Sequence, residues 1–366
     1  MNSFRPISLH IDGCALRHNF EVVKKNVGKS KVYAVIKANA YGCDDAFVLD
    51  VLHPFADGFA LLELPRALFL RKKTNKPLLL LEGVFDKTEA IEAAKANITM
   101  LCHNLEQLSW AMDAAKKVEQ IQLVLKFNTG MNRLGLTLKT LPKALSFIQK
   151  IPNAHWILMT HFAKADEPNG CNAALATFQT MRHFAIQHVP FLKNAPISLA
   201  NSAAILSQRN THAHIVRPGI MLYGASPFGV KPSAKSLDLK PVLSLKSKII
   251  AIQHLEKGAQ VGYGGNFVAP ETMPIGIVAC GYADGYPKIA HNAPVLIDQQ
   301  KSHTIGNVAM DMLCVDLRQI KKAQLGQEVE LFGETIPADE VAQSANTIAY
   351  EIFCAIAPRV PRIFKN

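Results

Sequence analysis

The sequence has no apolar run of the roughly 20 residues that a membrane-spanning helix needs, which excludes a helical membrane protein. It also lacks the opening of an exported chain. MNSFRPISLHIDGCALRHNF shows no charged start followed by an apolar stretch and a small-residue cleavage site, so the expected location is the cytoplasm. No CxxC pair occurs, and the seven cysteines are odd in number and irregularly spaced. A disulfide framework and a cysteine-ligated zinc site are therefore not expected, and no metal is assigned. The net charge of +11 does not mark a nucleic-acid reader. Basic groups such as Arg71-Lys72-Lys73 and Lys116-Lys117 carry no interleaved aromatics, so a solvated basic surface that attracts small anions is the better description.

What is present is apolar material in quantity. With 49% hydrophobic residues over 366 positions, the chain can fill two domains. Up to about residue 225, short apolar runs alternate with amphipathic ones. Strands are predicted over 32–37, 58–62, 77–81, 98–101, 121–127, 156–161, 197–201 and 213–217, with helices over 14–27, 86–96, 104–118 and 172–188 among them. In the third helix Leu105, Leu108, Met112 and Ala115 recur at helical spacing. Eight strand–helix units in a row predict a (β/α)8 barrel. From about residue 239 the texture becomes strand and Gly/Pro turn, with strands over 242–253, 273–279, 293–297, 312–317 and 329–332 and one late helix near 338–345. The division expected is a barrel domain over 1–238 and a mainly β domain over 239–366.

The chemistry centres on KVYAVIKANAYG, residues 31–42. Its β-branched and aromatic start fits a strand buried on both faces, and Lys37 stands where that strand should end. A desolvated lysine loses its proton more easily and becomes a Schiff-base nucleophile. Taken alone, residues 31–37 read better as a strand-end lysine that snorkels to water. Barrel enzymes, however, build their sites at the C-terminal ends of their strands. Those ends here carry Lys37, Lys126, His161, Asn201-Ser202 and Arg217, polar residues far apart in sequence that the fold would gather at one rim.

The motifs AVIKANAYG (34–42), KFNTGMNRLG (126–135), MTHFAKAD (159–166), LANSAA (199–204), RPGIMLYG (217–224), VGYG (261–264), CGYADGYP (280–287), GNVAMDM (306–312) and AYEIFCAIAPRVPR (349–362) follow in order along nearly the whole chain. In that order and spacing the sequence resembles bacterial alanine racemases, pyridoxal 5'-phosphate enzymes in which a barrel precedes a β domain. The resemblance implies that Lys37 binds the cofactor as a Schiff base and is one of two acid–base groups. The other is Tyr263, supplied by the partner subunit of a homodimer, with His161 behind it and linked to Arg217. Both are weak acids that must be tuned or relayed to exchange protons at neutral pH. By the same resemblance Arg217 faces the pyridine nitrogen, and the phosphate meets Tyr41, Ser202, Tyr350 and the amides of Gly219 and Ile220. On its own, Asn201-Ser202 reads as an ordinary helix cap.

The resemblance further implies that Arg133 contacts the substrate carboxylate and that Lys126 is open to carbamylation. Asn128 departs from the aspartate usual in that motif, which alters the local charge balance. Tyr282 and Asp311 line the approach to the site, and Met310 crowds the substrate side chain, favouring a methyl group. Cys43 replaces a common histidine or glycine and is read as a small packed residue. The implied activity is interconversion of L- and D-alanine, supplying D-alanine for peptidoglycan. Three other readings are weaker. A non-catalytic pyridoxal-phosphate protein lacks the tyrosine-bearing β domain. A decarboxylase of the same fold wants acidic residues for a distal ammonium, and a broad-specificity racemase is usually exported.

Overall fold

A computed structural model of the chain describes residues 5–365, which divide into two compact units. One unit gathers Phe20–Ala40 and Leu52–Gly219; the other gathers the residues through Asn19, Tyr41–Val51 and those from Ile220 on. After a first strand, β1 (Ser8–Asp12), come β2 (Lys31–Val35), β3 (Gly58–Leu61), β4 (Leu78–Leu80), β5 (Thr99–Cys102), β6 (Ile121–Lys126), β7 (Ala154–Met159), β8 (Ile197–Ser198) and β9 (Ile215–Val216). Strands β2 to β9 are all parallel, and β9 returns to β2 to close a barrel. Each of the eight predicted barrel segments overlaps one of these strands.

The strands form where apolar residues run without interruption. Val32 to Val35 are all buried, as befits a strand with the barrel interior on one side and helices on the other. Helix starts are set by short polar side chains: Asp86 accepts a hydrogen bond from the Glu89 amide, and Asn104 accepts one from the Gln107 amide. The helix Leu105–Ala115 buries Leu108, Ala111 and Ala115, whereas Leu105 and Met112 of the predicted stripe are only half-buried. Among the described residues no helix is long and apolar enough to cross a membrane.

In the other unit the strands are β10 (Leu243–Leu255), β11 (Gln260–Val261), β12 (Phe267–Val268), β13 (Met273–Val278), β14 (Pro294–Ile297), β15 (Gln300–Ile305), β16 (Leu313–Asp316), β17 (Glu328–Phe332) and β18 (Arg362–Lys365). One sheet runs β13-β16-β15-β14-β17-β10-β1-β18, and β10 also pairs with β13. The long β10 thus joins both ends of a six-strand circuit. The first strand of the chain lies antiparallel to β10 and parallel to β18. Strands β1, β11, β12, β15 and β18 and the helix Ala349–Ala355 lie outside the segments predicted from sequence.

Candidate active site

The barrel rim carries the residues expected there. Lys126 ends β6 and is buried, Lys37 follows one residue after Ile36 and is half-buried, and Arg217 directly follows β9. Arg217 is 4% exposed. Its Nη2 donates to the carbonyls of Thr160 (2.8 Å) and Leu199 (3.3 Å), and its Nη1 donates to Ser198 Oγ. Thr160 is itself fixed, its hydroxyl bonded to Phe127 O and Thr129 Oγ1. Burial lowers the Arg217 pKa to about 10, so the group stays cationic at neutral pH.

The surroundings are strongly positive. Burial, reinforced by Arg217 and Arg133, lowers the Lys126 pKa to about 8; Glu82 opposes the shift and Lys37 adds to it. His161 is pushed well below the ordinary imidazole value, first by burial and then by Arg217, Lys126, Arg133 and Lys37. It is therefore neutral at pH 7. Three cations act on Lys126 and four on His161, and Glu82 is the carboxylate that counters them at Lys126. Such a site suits anionic groups.

Arg133 is exposed on a loop that leaves β6 and returns beside it, with Leu136 N donating to Lys126 O and Asn128 N to Leu136 O, both at 2.8 Å. Asn128 holds the turn. Its Oδ1 accepts from the amides of Gly130 and Asn132, and its Nδ2 donates to Asn132 Oδ1, all at 3.1 Å. An aspartate would make the first two bonds but not the third, and would add a negative charge near Arg133. After β8, two strands further round the rim, Ser202 Oγ accepts from Gly219 N at 2.9 Å. Both ends of the Asn201 amide are already engaged, by Ala204 N and by the carbonyl of Phe162. Its contacts make Asn201 the cap that sets Ser202 at the first position of its helix.

After Lys37 the backbone does something the sequence did not announce. Ala38, Asn39, Ala40 and Tyr41 all take left-handed helical angles, with φ of 53°, 52°, 53° and 55°, and Gly42 follows at 83°. For residues with a Cβ this conformation costs roughly 1–2 kcal/mol each. One turn bond, Ala40 N to Ile36 O at 2.9 Å, closes beside the lysine. Consecutive strain of this kind collects at functional sites.

The second unit holds the remaining expected residues. Tyr41 stacks on Tyr223 with ring centroids 4.5 Å apart and lies 6.0 Å from the ring of Tyr350; burial pushes the Tyr41 and Tyr223 phenols upward. Ile220 opens the buried short helix Ile220–Tyr223. Cys43 is fully buried and its thiol is pushed well above the ordinary value, chiefly by that burial, so it stays protonated and packed. Tyr263 stands on a turn of three positive-φ glycines and is 79% exposed. Asn307 Nδ2 donates to its carbonyl at 2.8 Å, and Tyr282 N donates to Ala309 O at 3.0 Å. The loop GNVAMDM therefore brings exposed Tyr263, Tyr282 and Met310 together. Asp311 pairs with Arg359 at 2.7 Å, and Arg359 with the buried Asp284 at 2.8 Å, while Arg5 bonds both Asp284 and the carbonyl of Asp311. Sequence reasoning missed this network, although Asp284 and Arg359 are charges inside two of the quoted motifs.

Comparison with known proteins points to one family. A family model described as alanine racemase, N-terminal domain, matches residues 11–227, and one described as alanine racemase, C-terminal domain, matches 242–364. Over 360 residues the chain is 44% identical to an alanine racemase of Burkholderia mallei, with 98% of each chain covered. The crystal structure of biosynthetic alanine racemase from Pseudomonas aeruginosa is similar at a TM-score of 0.92 and 35% identity, covering 99% of this chain and 100% of that one. Alanine racemase from Bartonella henselae, with covalently bound pyridoxal phosphate, is similar at 0.88 and 28%, covering 98% and 99%.

Proposed function

The chain belongs to the alanine racemase family of pyridoxal-phosphate-dependent isomerases, and from that premise we propose how its residues divide the work of interconverting L- and D-alanine. The residues present fit the cofactor: a rim of cations with a hydroxyl–amide pair at Ser202 and Gly219 suits a phosphate-bearing, carboxylate-binding chemistry. Pyridoxal phosphate supplies an aldehyde for a lysine and an electron sink that acidifies the substrate's α-hydrogen. Lys37 holds that group covalently and exchanges a proton at its Nζ. Tyr263 of the partner subunit exchanges the other proton from the opposite side, and the neutral His161 relays to it. Arg217 serves the ring nitrogen. A guanidinium that keeps its proton to about pH 10 donates rather than accepts, so beside a bound cofactor it would leave that nitrogen unprotonated and favour proton exchange over other chemistry.

Arg133 takes the substrate carboxylate. Lys126, with a pKa of about 8, has about a fifth of its amine free near pH 7.4, the form that captures carbon dioxide. The resulting carbamate would turn a cation into an anion beside Arg133. By the family resemblance Tyr41, Tyr350 and the Ile220 amide would also meet the phosphate, and Tyr282, Asp311 and Met310 would restrict the approach to small side chains. A cytoplasmic homodimer supplying D-alanine for peptidoglycan completes the reading.

The observation that carries it is the buried Arg217 guanidinium, fixed by three acceptors on the rim that also bears Lys37. The test is borohydride reduction of the purified protein, with visible spectra before and after, a peptide map and a D-alanine assay. A coloured protein whose reduced adduct maps to Lys37 is expected. A colourless protein, or an adduct on another lysine, overturns the assignment.

A further inference from the structure

We propose that the N-terminal mouth of the barrel is a second binding site, for an aromatic carboxylate, separate from the rim that bears Lys37 and Arg217. The strands are parallel, so all begin at one end. There Lys31 opens β2, Gln122 lies near the start of β6, Trp156 near that of β7, and Ile215 opens β9. Together they line a cleft of about 1150 Å³. This end of a barrel ordinarily carries no chemistry.

Three features fit one ligand class. Among the described residues that line the cleft there is no aspartate or glutamate, whereas Lys29, Lys31, His155 and His214 all do line it. The walls are aromatic: Tyr33 and Trp156 are buried, and Phe191 is half exposed. The third feature is a donor in want of an acceptor. Trp156 Nε1 is closed to water and makes no hydrogen bond to the described residues, so a ligand meets it once the indole turns towards the cleft. An indole N–H can only donate, so it calls for a group that accepts.

The neighbouring polar groups sharpen the choice. His214 Nδ1 accepts from Ile197 N at 3.1 Å, which leaves its Nε2 as a second donor. His155 Nε2 is engaged by Gln120 Oε1 at 3.2 Å. Asp57, which acts on Tyr33, does not line the cleft, and its carboxylate already accepts from Val32 N and faces Lys24. Donors and cations without a competing acid, set among flat apolar walls, select a ring that bears a carboxylate.

The sequence has two tryptophans, so Trp110→Phe leaves Trp156 as the only indole and its fluorescence as a local reporter. Titration with 4-nitrobenzoate should quench it saturably. 4-Nitrobenzyl alcohol, with the same ring and no charge, should bind about tenfold more weakly, and so should 4-nitrobenzoate after Lys29→Gln and Lys31→Gln. Unchanged alanine racemisation in these variants shows that the barrel is intact. Calorimetry on Trp156→Phe should find 4-nitrobenzoate bound about fivefold more weakly. Quenching that never saturates, that is equal for acid and alcohol, or that ignores loss of the two lysines overturns the proposal.

Discussion

At the scale of single residues, Lys126 shows how a barrel turns ordinary side chains into unusual ones. It is 7% exposed and lies among Arg217, Arg133 and Lys37, which, after burial, hold its pKa near 8 instead of 10.5. Below pH 8 the folded and unfolded chains both carry the proton, so the full penalty of a crowded buried cation is present. Between pH 8 and 10.5 the folded chain releases it first and the penalty fades. Lys126→Met should therefore be more stable than the parent by about 3 kcal/mol at pH 7 in carbonate-free buffer, a gap that narrows above pH 8 and closes as pH rises past 10.5. Urea unfolding at a series of pH values measures it; a gap independent of pH removes the strained cation. Asp284 behaves in the opposite sense. Burial raises its pKa, but hydrogen bonds from Arg5, the Gly281 amide and Arg359 outweigh that and hold it below the usual range. Its stabilisation is present above the ordinary carboxylate pKa and is lost as pH falls through the depressed value. Asp284→Asn should cost about 3 kcal/mol at neutral pH, since two arginines lose a buried partner. Asp311→Asn, which breaks an exposed pair, should cost less than about 1 kcal/mol. Equal losses in thermal unfolding would contradict that ranking.

At the scale of elements, most of the barrel was legible because continuous β-branched and leucine runs cannot easily be anything else in an alternating chain. What stayed hidden has a physical reason in each case. Strand β15, QKSHTI, is largely polar and gains its place from β14 and β16. Strands β1 and β18 are short and distant in sequence; β18 pairs with β1, and β1 in turn with β10, so neither is set by its own residues alone. The left-handed turn after Lys37 was the deepest omission, since Ala-Asn-Ala carries no local preference for positive φ beyond that of asparagine. Gly42 closes that turn. A Cβ there would stand 2.5 Å from the carbonyl oxygen of Phe353, at a φ of +83°. Gly28 also has positive φ, +57°, but a Cβ there meets nothing within 4 Å. Gly28→Ala should thus lose only the conformational term, roughly 1–2 kcal/mol, and Gly42→Ala distinctly more. Denaturant melts of the two variants compare them directly, and a smaller loss at Gly42 would show that the turn yields.

At the scale of the whole molecule, the motifs name the site residues expected, and the family resemblance assigns Tyr263 to the partner subunit. The rim supplies Lys37, Arg217, Lys126 and Arg133 from one unit. The other unit presents Tyr263 at 79%, Met310 at 54% and Tyr282 at 41% exposure, all tied to one loop. Large tyrosine and methionine side chains gathered at a surface suit an interface better than water. If Tyr263 works in the partner subunit, each active site needs Lys37 from one chain and Tyr263 from another. Lys37→Ala and Tyr263→Phe should then each be nearly inactive as pure proteins, yet complement when co-expressed. In a two-fold dimer assembled at random from equal amounts, half the dimers are mixed and each mixed dimer has one intact site, so about a quarter of the parent activity should return. A site completed within a single chain gives no such recovery, because neither variant chain contains both groups. D-Alanine formation by the co-expressed pair, set against the two proteins expressed separately, decides between a shared site and a private one.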